Sequence, residues 1–131
     1  MAKIYLLPGN KETVEIYARK FWNRTSIHLE LGAKYHFKAT GKWTDFIIET
    51  DADGYQHLYL QPFEAFRRVP TQNWFALIGT VDRMMTTAFL IGKEVTLTPP
   101  KSGELVCFAN DVAGFYWNNW GHLKLTITRM A

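Results

Sequence analysis

The sequence predicts a single all-β domain that covers residues 1–131 and forms a sandwich or a barrel. Two observations predict this class. Apolar residues recur at every second position in several short stretches, and turn-forming residues separate those stretches. Successive side chains of a strand point to opposite sides, so this period gives one face to the core and one to water. Many short strands at regular spacing are typical of sandwiches and barrels.

Three stretches show the alternation directly, namely residues 27–31, 35–39 and 122–128. Each is predicted to be a strand with one buried face and one exposed face. The earlier segment 12–22 is compatible with either a strand or one helical turn, and its pattern does not decide between them.

Two other stretches, residues 75–78 and 105–109, are apolar throughout. Periodicity alone does not separate a buried strand from a buried helix in such short runs. Their β-branched and aromatic content and the nearby Gly and Pro residues favour strands that are covered on both faces. Residues 93–98 add one more strand, which ends at Pro99.

Residues 51–54 read Asp-Ala-Asp-Gly, which resembles the start of an EF-hand calcium loop. The third acidic position and the downstream Glu of such a loop are missing, and no helices are predicted on either side. Asp-Gly is a common hairpin turn because both residues tolerate positive φ. We therefore interpret Asp53 and Gly54 as a hairpin turn.

The composition is that of a packed globular domain, with 47% hydrophobic and 15% aromatic residues. Cys107 is the single cysteine, so no intrachain disulfide can form, and its apolar neighbours predict a buried, inert thiol. The N-terminal residues lack the apolar core and cleavage site of a signal peptide, and no apolar run reaches the length of a membrane span. We expect synthesis in the cytoplasm, no membrane insertion, and any release to follow a route without a signal peptide.

The charge pattern does not predict a nucleic-acid partner. The formal net charge is +3, and the basic residues are scattered apart from two short pairs, 19–20 and 67–68. A nucleic-acid-binding surface needs a denser basic patch.

The sequence also gives no indication of an enzyme. The only thiol is predicted to be buried, and Ser26 and Ser102 lie in no nucleophile-elbow motif. No pair of carboxylates is marked for glycoside hydrolysis. We expect no catalytic residues.

The most informative segment is residues 110–121, which read Asn-Asp-Val-Ala-Gly-Phe-Tyr-Trp-Asn-Asn-Trp-Gly and join two predicted strands. The segment is longer than a hairpin needs and is rich in side-chain oxygens. Calcium accepts six to eight oxygen ligands from carboxylates, amides, backbone carbonyls and water. Asp111, Asn118 and Asn119 could supply three of them. The alternative is that these residues only form turns.

This segment resembles the calcium-binding loop of the PA-I galactophilic lectin family, a group of bacterial lectins. The family pattern is roughly Asn-Asp, a few residues with a Gly, Tyr, one residue, Asn or Asp, Asn, one residue, Gly. Flanking segments are also similar to the family, so that the resemblance extends over about residues 25–129. These segments are 25–27, 40–43, 75–79 and 99–105.

The resemblance implies a jelly-roll-like β-sandwich of the galactose-binding-domain-like type, with calcium as cofactor. In that family the ion is held at one end of the sandwich and bridges two sugar hydroxyls. By this likeness, Asp111 gives carboxylate oxygens, Asn118 and Asn119 give amide carbonyls, and Phe115 gives its backbone carbonyl. A further backbone carbonyl comes from Asp45 or a neighbouring residue.

The same resemblance implies contacts to the sugar, a terminal galactose or a galactose-terminated glycan. Asp111, Asn118 and Asn119 touch it through the ion, and a family His and Gln hold it from the middle of the chain. Phe115, Trp117 and Trp120 stand in the loop where the family has smaller residues, and they could stack on the sugar ring, pack against a neighbour or obstruct the pocket. The candidates for these contacts are Gln56, His57, Gln61, Tyr116, Trp117 and Trp120.

Two functional classes remain open. One is a calcium-dependent galactose lectin, whose avidity would come from several sites in a homo-oligomer, as the resemblance implies. The other is a β-sandwich with a structural or protein-interaction role that kept the fold and lost sugar binding. In that case Trp117 and Trp120 would belong to an interface, where aromatic residues are enriched.

Overall fold

The computed structural model describes residues 2–131, and its regular elements are almost all β-strands. Two 3₁₀ segments interrupt them, at Leu58–Phe66 and at Ala113–Asn118. The strands in chain order are β1 (Ile4–Tyr5), β2 (Lys11–Tyr17), β3 (Asn23–Leu29), β4 (Tyr35–Thr40), β5 (Trp43–Asp45), β6 (Ile48–Thr50), β7 (Leu77–Val81), β8 (Met84–Leu90), β9 (Glu94–Leu97), β10 (Gly103–Ala109) and β11 (Asn119–Arg129).

The strands form two sheets, and this confirms the predicted all-β sandwich. One sheet has the order β1-β3-β10-β7-β8. The other has the order β6-β5-β11-β4-β9, and β2 also pairs with β11. Consecutive strands are often not neighbours, so the chain crosses between the sheets repeatedly, and loops collect at the two ends of the sandwich.

The core lies between the sheets and follows the alternation in the sequence. Tyr35, Phe37 and Ala39 of β4 are buried, and so are Leu123 and Leu125 of β11. Side chains two positions apart share a face of a strand, so each strand gives one row to the core. Residues 75–78 and 105–109 are buried throughout, as the sequence predicts.

Cys107 lies in that apolar interior and has no exposed surface. Burial raises the pKa of its thiol above the ordinary value, so the thiol stays protonated and inert at neutral pH.

Segment 12–22 contains a strand and no helical turn: β2 runs to Tyr17, and a turn then leads into β3.

The hairpin predicted at Asp53 and Gly54 is wrong in part. The turn exists, with φ +73° at Gly54, but Tyr55 pairs with Trp74 rather than with the strand before the turn. A Cβ on Gly54 would lie 2.2 Å from the carbonyl oxygen of Trp74, so this pairing requires glycine.

No helix within residues 2–131 is both long enough and apolar enough to cross a membrane.

Candidate metal centre

The start of β11 is the point where the predicted ligands meet. Its first residue, Asn119, pairs with Asp45 of β5, and the backbone amide of Phe46 donates to the carbonyl oxygen of Asn118 at 3.0 Å. The loop that begins after β10 carries Asp111 to the same place. Two strands and one loop therefore converge at one end of the sandwich.

Asn110 anchors the beginning of this loop. Its side chain is fully buried, and its amide nitrogen donates to the carbonyl oxygens of Val69 at 2.9 Å, Gln72 at 3.2 Å and Asn73 at 3.0 Å. Its side-chain oxygen accepts from the amide of Val69 at 2.9 Å. Asn110 thus uses its amide nitrogen and its side-chain oxygen to fix the loop.

Tyr116 anchors the middle of the loop. Its hydroxyl donates to the carbonyl oxygen of Ala109 at 2.5 Å and accepts from the guanidinium of Arg68 at 3.0 Å. The carbon centre of that guanidinium lies 3.5 Å from the ring centre of Phe108, and the backbone amide of Arg68 donates to the carbonyl oxygen of Asp111 at 3.0 Å. The hydrogen bonds of Tyr116 and Arg68, and the stacking of Arg68 on Phe108, therefore hold the loop in place.

Asp111 is a buried carboxylate with no basic partner among the described residues. It is 4% exposed, and its two oxygens accept from the amide of Val112 at 2.7 Å and from the side chain of Asn119 at 3.1 Å. Burial, together with the negative charge of Asp45, raises the pKa of Asp111 from 3.8 to about 6. An ionised Asp111 is thus unfavourable in the absence of a cation.

Asp45 supplies a second carboxylate at this place. It is half-buried, and the hydroxyl of Tyr55 donates to it. Burial raises the pKa of Asp45 as well, while the hydrogen bond from Tyr55 opposes that rise. The prediction assigned only a backbone carbonyl to Asp45 or a neighbour, so the position of its carboxylate is new.

Two amide oxygens complete the group. The side-chain oxygens of Asn118 and Asn119 are buried and accept no hydrogen bond from residues 2–131. The orientation of Asn119 is fixed, because its amide nitrogen donates both to Asp111 and to the carbonyl oxygen of Ala18 at 3.2 Å. Leaving a buried acceptor unpaired costs roughly 1–3 kcal/mol, so these oxygens need a partner.

No other buried side-chain acceptor in the described part of the chain lacks a partner. The remaining unpaired polar atoms are nitrogens of Arg67, Arg68 and Trp74. Both guanidinium groups stack on aromatic rings, that of Arg67 at 4.9 Å from the ring centre of Trp74. The unpaired acceptors are therefore concentrated beside the two carboxylates.

This set of oxygens fits a hard cation. Residues 2–131 contain no cluster of three or more His, Cys, Asp or Glu side chains placed to hold an ion. The donors available here are two carboxylates and two amide carbonyls, all oxygen, which calcium prefers over nitrogen or sulfur. The residues present therefore fit calcium.

The oxygens open onto a cavity of about 600 Å³. Asp45, Asp111 and Asn118 contribute to its lining, together with Tyr55, whereas Asn119 does not. The rest of the lining is apolar: Phe46, Ile47, Ile48, Leu60, Phe63, Phe66, Trp74, Val112 and Phe115.

The aromatic residues of the loop lie in different surroundings. Phe115 lines the cavity, but Tyr116 is buried on Arg68, outside it. Trp117 and Trp120 are 63% and 52% exposed and do not line the cavity either. Contact of Tyr116, Trp117 or Trp120 with a sugar stays a prediction, and none of the three contributes to the lining of this cavity.

Gln56, His57 and Gln61 lie in or beside the 3₁₀ segment that borders the cavity, but none of the three contributes to its lining. Gln56 donates to Asn73 at 3.2 Å, and the ring of His57 caps the segment by accepting from the amide of Tyr59 at 3.2 Å. Their contact with a sugar stays a prediction.

Sequence reasoning missed the carboxylate of Asp45 and the segment Leu58–Phe66. A local pattern could have found the first. Asp45 lies two positions after Trp43, which is fully buried and donates to the carbonyl oxygen of Phe75 at 3.1 Å. Residues two apart share one face of a strand, so Asp45 must point inward at the end of β5.

The fold is shared with a solved structure described as "EclA N-terminal domain; PllA-like lectin". The two chains are 17% identical, and the TM-score is 0.66. The match covers 89% of this chain and 94% of the other. No protein-family model and no curated protein matches this chain.

Proposed function

We propose that this protein is a calcium-dependent lectin that binds terminal galactose-like sugars through an ion bridging two sugar hydroxyls. The observation that carries the proposal is the cluster at the start of β11. There, one buried carboxylate and one half-buried carboxylate face one cavity, and the two amide oxygens without partners lie beside them.

Asp111, Asn118 and Asn119 would hold the ion with side-chain oxygens, and Asp45 would add a carboxylate. The backbone carbonyl of Phe115, which the loop resemblance assigns, would be a fifth group. Calcium takes six to eight oxygens, so positions remain that water fills in the free protein. Two adjacent sugar hydroxyls can replace those waters and remain coordinated, so little is lost on desolvation.

Charge balance also supports a divalent ion. Ionised Asp45 and Asp111 raise the free energy of the folded protein, because burial disfavours both charges and the charge of Asp45 also raises the pKa of Asp111. A doubly charged cation between them removes that repulsion and satisfies the amide oxygens in the same step.

The similar solved structure is described as a lectin, and the shared fold is compatible with sugar binding. The choice of a galactose-like sugar rests on the resemblance of residues 110–121 to the galactophilic loop. The physical criterion is a hydroxyl pair whose separation matches the open positions of the ion. Affinity for one monosaccharide should be weak, in the micromolar to millimolar range typical of small polar ligands.

Retention on a galactose matrix tests the proposal. We expect the protein to bind in calcium, to elute with free galactose or with chelator, and to pass through a glucose matrix. Asn118→Ala should abolish retention, since it removes an oxygen that makes no hydrogen bond in the fold. Asn10→Ala is the matched control, because Asn10 lies in a turn near the N-terminus. Retention that persists in chelator would contradict the bridging mechanism.

A second candidate function is a protein-interaction domain. The observation that favours it is the exposure of Trp117 and Trp120 outside the cavity, since aromatic residues are enriched in interfaces. The same surface suits contact between copies of this chain in a homo-oligomer. Calcium binding without binding of any glycan would favour this function, and light-scattering mass measurements on Trp117→Ser would test the contact between copies.

A further inference from the structure

The outer face of the second sheet collects lysines that are far apart in the sequence. Buried and outward side chains alternate along β11 and β4, so Lys124 and Lys38 point away from the core. Lys11 lies on the same face of β2, where it pairs with Thr128 of β11. All three lysines are exposed. We call the surface formed by Lys11, Lys38, Lys124 and the outward side chains between them the lysine face.

The lysine face and its border carry an excess of positive charge. Arg19 and Lys20 belong to the border, because their charged groups stack on outward aromatic rings of β11 and β2. Lys42 and Glu49 lie 3.8 Å apart and add no net charge. The other charged groups are five cations and two carboxylates, and their excess of three equals the formal net charge of +3 of the whole chain. They are Lys11, Arg19, Lys20, Lys38 and Lys124, with Glu15 and Glu94.

The lysines of this face have no anionic partner. Each carboxylate beside them is held by another group. Glu15 accepts from the hydroxyl of Tyr17 at 2.5 Å, and Glu94 lies 2.5 Å from a ring nitrogen of His36. No carboxylate within residues 2–131 forms an ion pair with any of the three lysines. Their ammonium groups are therefore available to an external anion.

Each of these lysines lies directly across from a threonine on the neighbouring strand. The pairs are Lys11 with Thr128, Lys38 with Thr126, and Lys124 with Thr40. Directly opposite residues have Cβ atoms about 5 Å apart, so an ammonium and a hydroxyl can reach one oxyanion together. The hydroxyls of Thr40 and Thr128 form no hydrogen bond within residues 2–131, and that of Thr126 lies 2.8 Å from that of Thr13.

The three pairs are spaced for an extended ligand. A strand rises about 3.3 Å per residue, and neighbouring strands lie about 4.8 Å apart. Lys124 and Lys38 are two residues and one strand apart, which places their Cα atoms about 8 Å from each other. Lys38 and Lys11 are two residues and two strands apart, or about 12 Å. One chain that carries charged groups at such intervals can contact all three lysines.

The side chains between the lysines favour a glycan over other polyanions. They are Thr, Glu and His, so the face offers no aromatic ring between its lysines for a base to stack on. Duplex DNA carries one charge per about 1.7 Å, and Glu15 and Glu94 would repel so dense a backbone. A sulfated glycan has sparser charges, and its hydroxyls between them can donate to carboxylates.

We infer that the lysine face binds a sulfated polysaccharide, and that each ammonium–hydroxyl pair takes one sulfate group. A sulfate has three terminal oxygens, so it can accept from a lysine and from the threonine opposite at the same time. None of the residues of this face lines the cavity at the start of β11. The binding therefore requires no calcium and is separate from the proposed galactose site.

Calorimetric titration with a size-defined heparin oligosaccharide in chelator tests the inference. We expect binding that calcium and Asn118→Ala leave unchanged, and that weakens as salt rises because ions screen exposed charges. The fully desulfated oligosaccharide should bind at least about tenfold more weakly. Absence of binding, or equal affinity after desulfation, would overturn the inference. A DNA duplex or an anionic lipid vesicle that binds as tightly would overturn the choice of a sulfated glycan.

A triple lysine variant tests the location. Lys11→Gln, Lys38→Gln and Lys124→Gln together should lower the affinity at least about tenfold. The matched control removes the same charge beside the other sheet, through Lys3→Gln, Arg83→Gln and Lys101→Gln, and should lower the affinity by less than about threefold. An equal loss in both variants would overturn the inference, because net charge alone would then explain the binding.

A threonine variant tests the pairing of ammonium and hydroxyl. Thr40→Val combined with Thr128→Val keeps the branched shape and removes two hydroxyls, so the affinity should fall at least about threefold while its salt dependence stays the same. Thr86→Val combined with Thr96→Val is the control, because neither residue faces a lysine on a neighbouring strand. An unchanged affinity in the first double variant would overturn the assignment of sulfate to these pairs.

Discussion

Replacing Asp111 by Asn should separate the ligand role of this residue from its effect on folding. Asp111 is buried and has no cation partner among residues 2–131, so its ionised form opposes folding when no metal is bound. Asn has nearly the same shape and no charge. We therefore expect Asp111→Asn to stabilise the metal-free protein at neutral pH while it abolishes calcium binding.

The magnitude follows from the pKa of Asp111. Burial and the charge of Asp45 raise that pKa from 3.8 to about 6. At about 1.4 kcal/mol per pH unit, this difference corresponds to about 3 kcal/mol of folding free energy lost as the pH rises from about 4 to above 6. Asn has one oxygen fewer, so one of the hydrogen bonds from Val112 and Asn119 is lost, at about 1 kcal/mol. The net expectation is a gain of about 1–2 kcal/mol at pH 7.5.

Urea denaturation in chelator measures this difference directly. At pH 7.5 the Asp111→Asn midpoint should exceed that of the wild type, and at pH 4 the advantage should disappear, because wild-type Asp111 is then protonated in the folded state. Glu49→Gln is the control, since it removes an exposed carboxylate on the neighbouring strand β6. An Asp111→Asn protein that is less stable than wild type in chelator at pH 7.5 would refute the reasoning.

Three further predictions follow from the same residues. Calcium affinity should fall about tenfold at pH 5 relative to pH 7.5, because protons compete at a carboxyl whose pKa is about 6; a flat pH profile in calorimetry would exclude Asp111 as a ligand. Asn110→Ala should lower the free energy of unfolding by about 3 kcal/mol in urea titrations, since it leaves the polar groups around Val69 unpaired, and a loss below about 1 kcal/mol would contradict that role. Trp117→Ala and Trp120→Ala should each change galactoside affinity by less than about twofold, because neither side chain lines the cavity; a tenfold loss in either would place it at the sugar.

The strands were predictable because one face of each is buried. Alternation at Tyr35 and Phe37, and at Leu123 and Leu125, reports this directly, and the structure confirms it. The hairpin at Asp53 was wrong in part because turn chemistry is local, whereas the choice of pairing partner depends on the two sheets.

The loop oxygens were predictable from residue types. Asp111, Asn118 and Asn119 lie together, and two of them have unpaired oxygens. Which loop side chains point into the cavity was not predictable from composition. Tyr116 is turned away by its hydrogen bond to Arg68, a residue distant in the sequence.

The apolar side of the cavity that is formed by Leu60, Phe63 and Phe66 was missed because the spacing of these residues matches neither the period of a strand nor that of an α-helix. Leu60, Phe63 and Phe66 recur every three residues, which indicates neither a strand nor an amphipathic α-helix. A Pro at position 62 also argues against both elements. In the 3₁₀ conformation the three side chains lie above one another on one face.

Titration of methyl galactoside into the protein, first in calcium and then in chelator, tests the central claim most directly. We expect one site per chain in calcium, no measurable heat of binding in chelator, and recovery when calcium is restored. Methyl glucoside, which differs in one hydroxyl orientation, should bind more weakly. Galactoside binding of equal affinity in chelator would contradict the claim that calcium held by Asp45, Asp111, Asn118 and Asn119 carries the sugar.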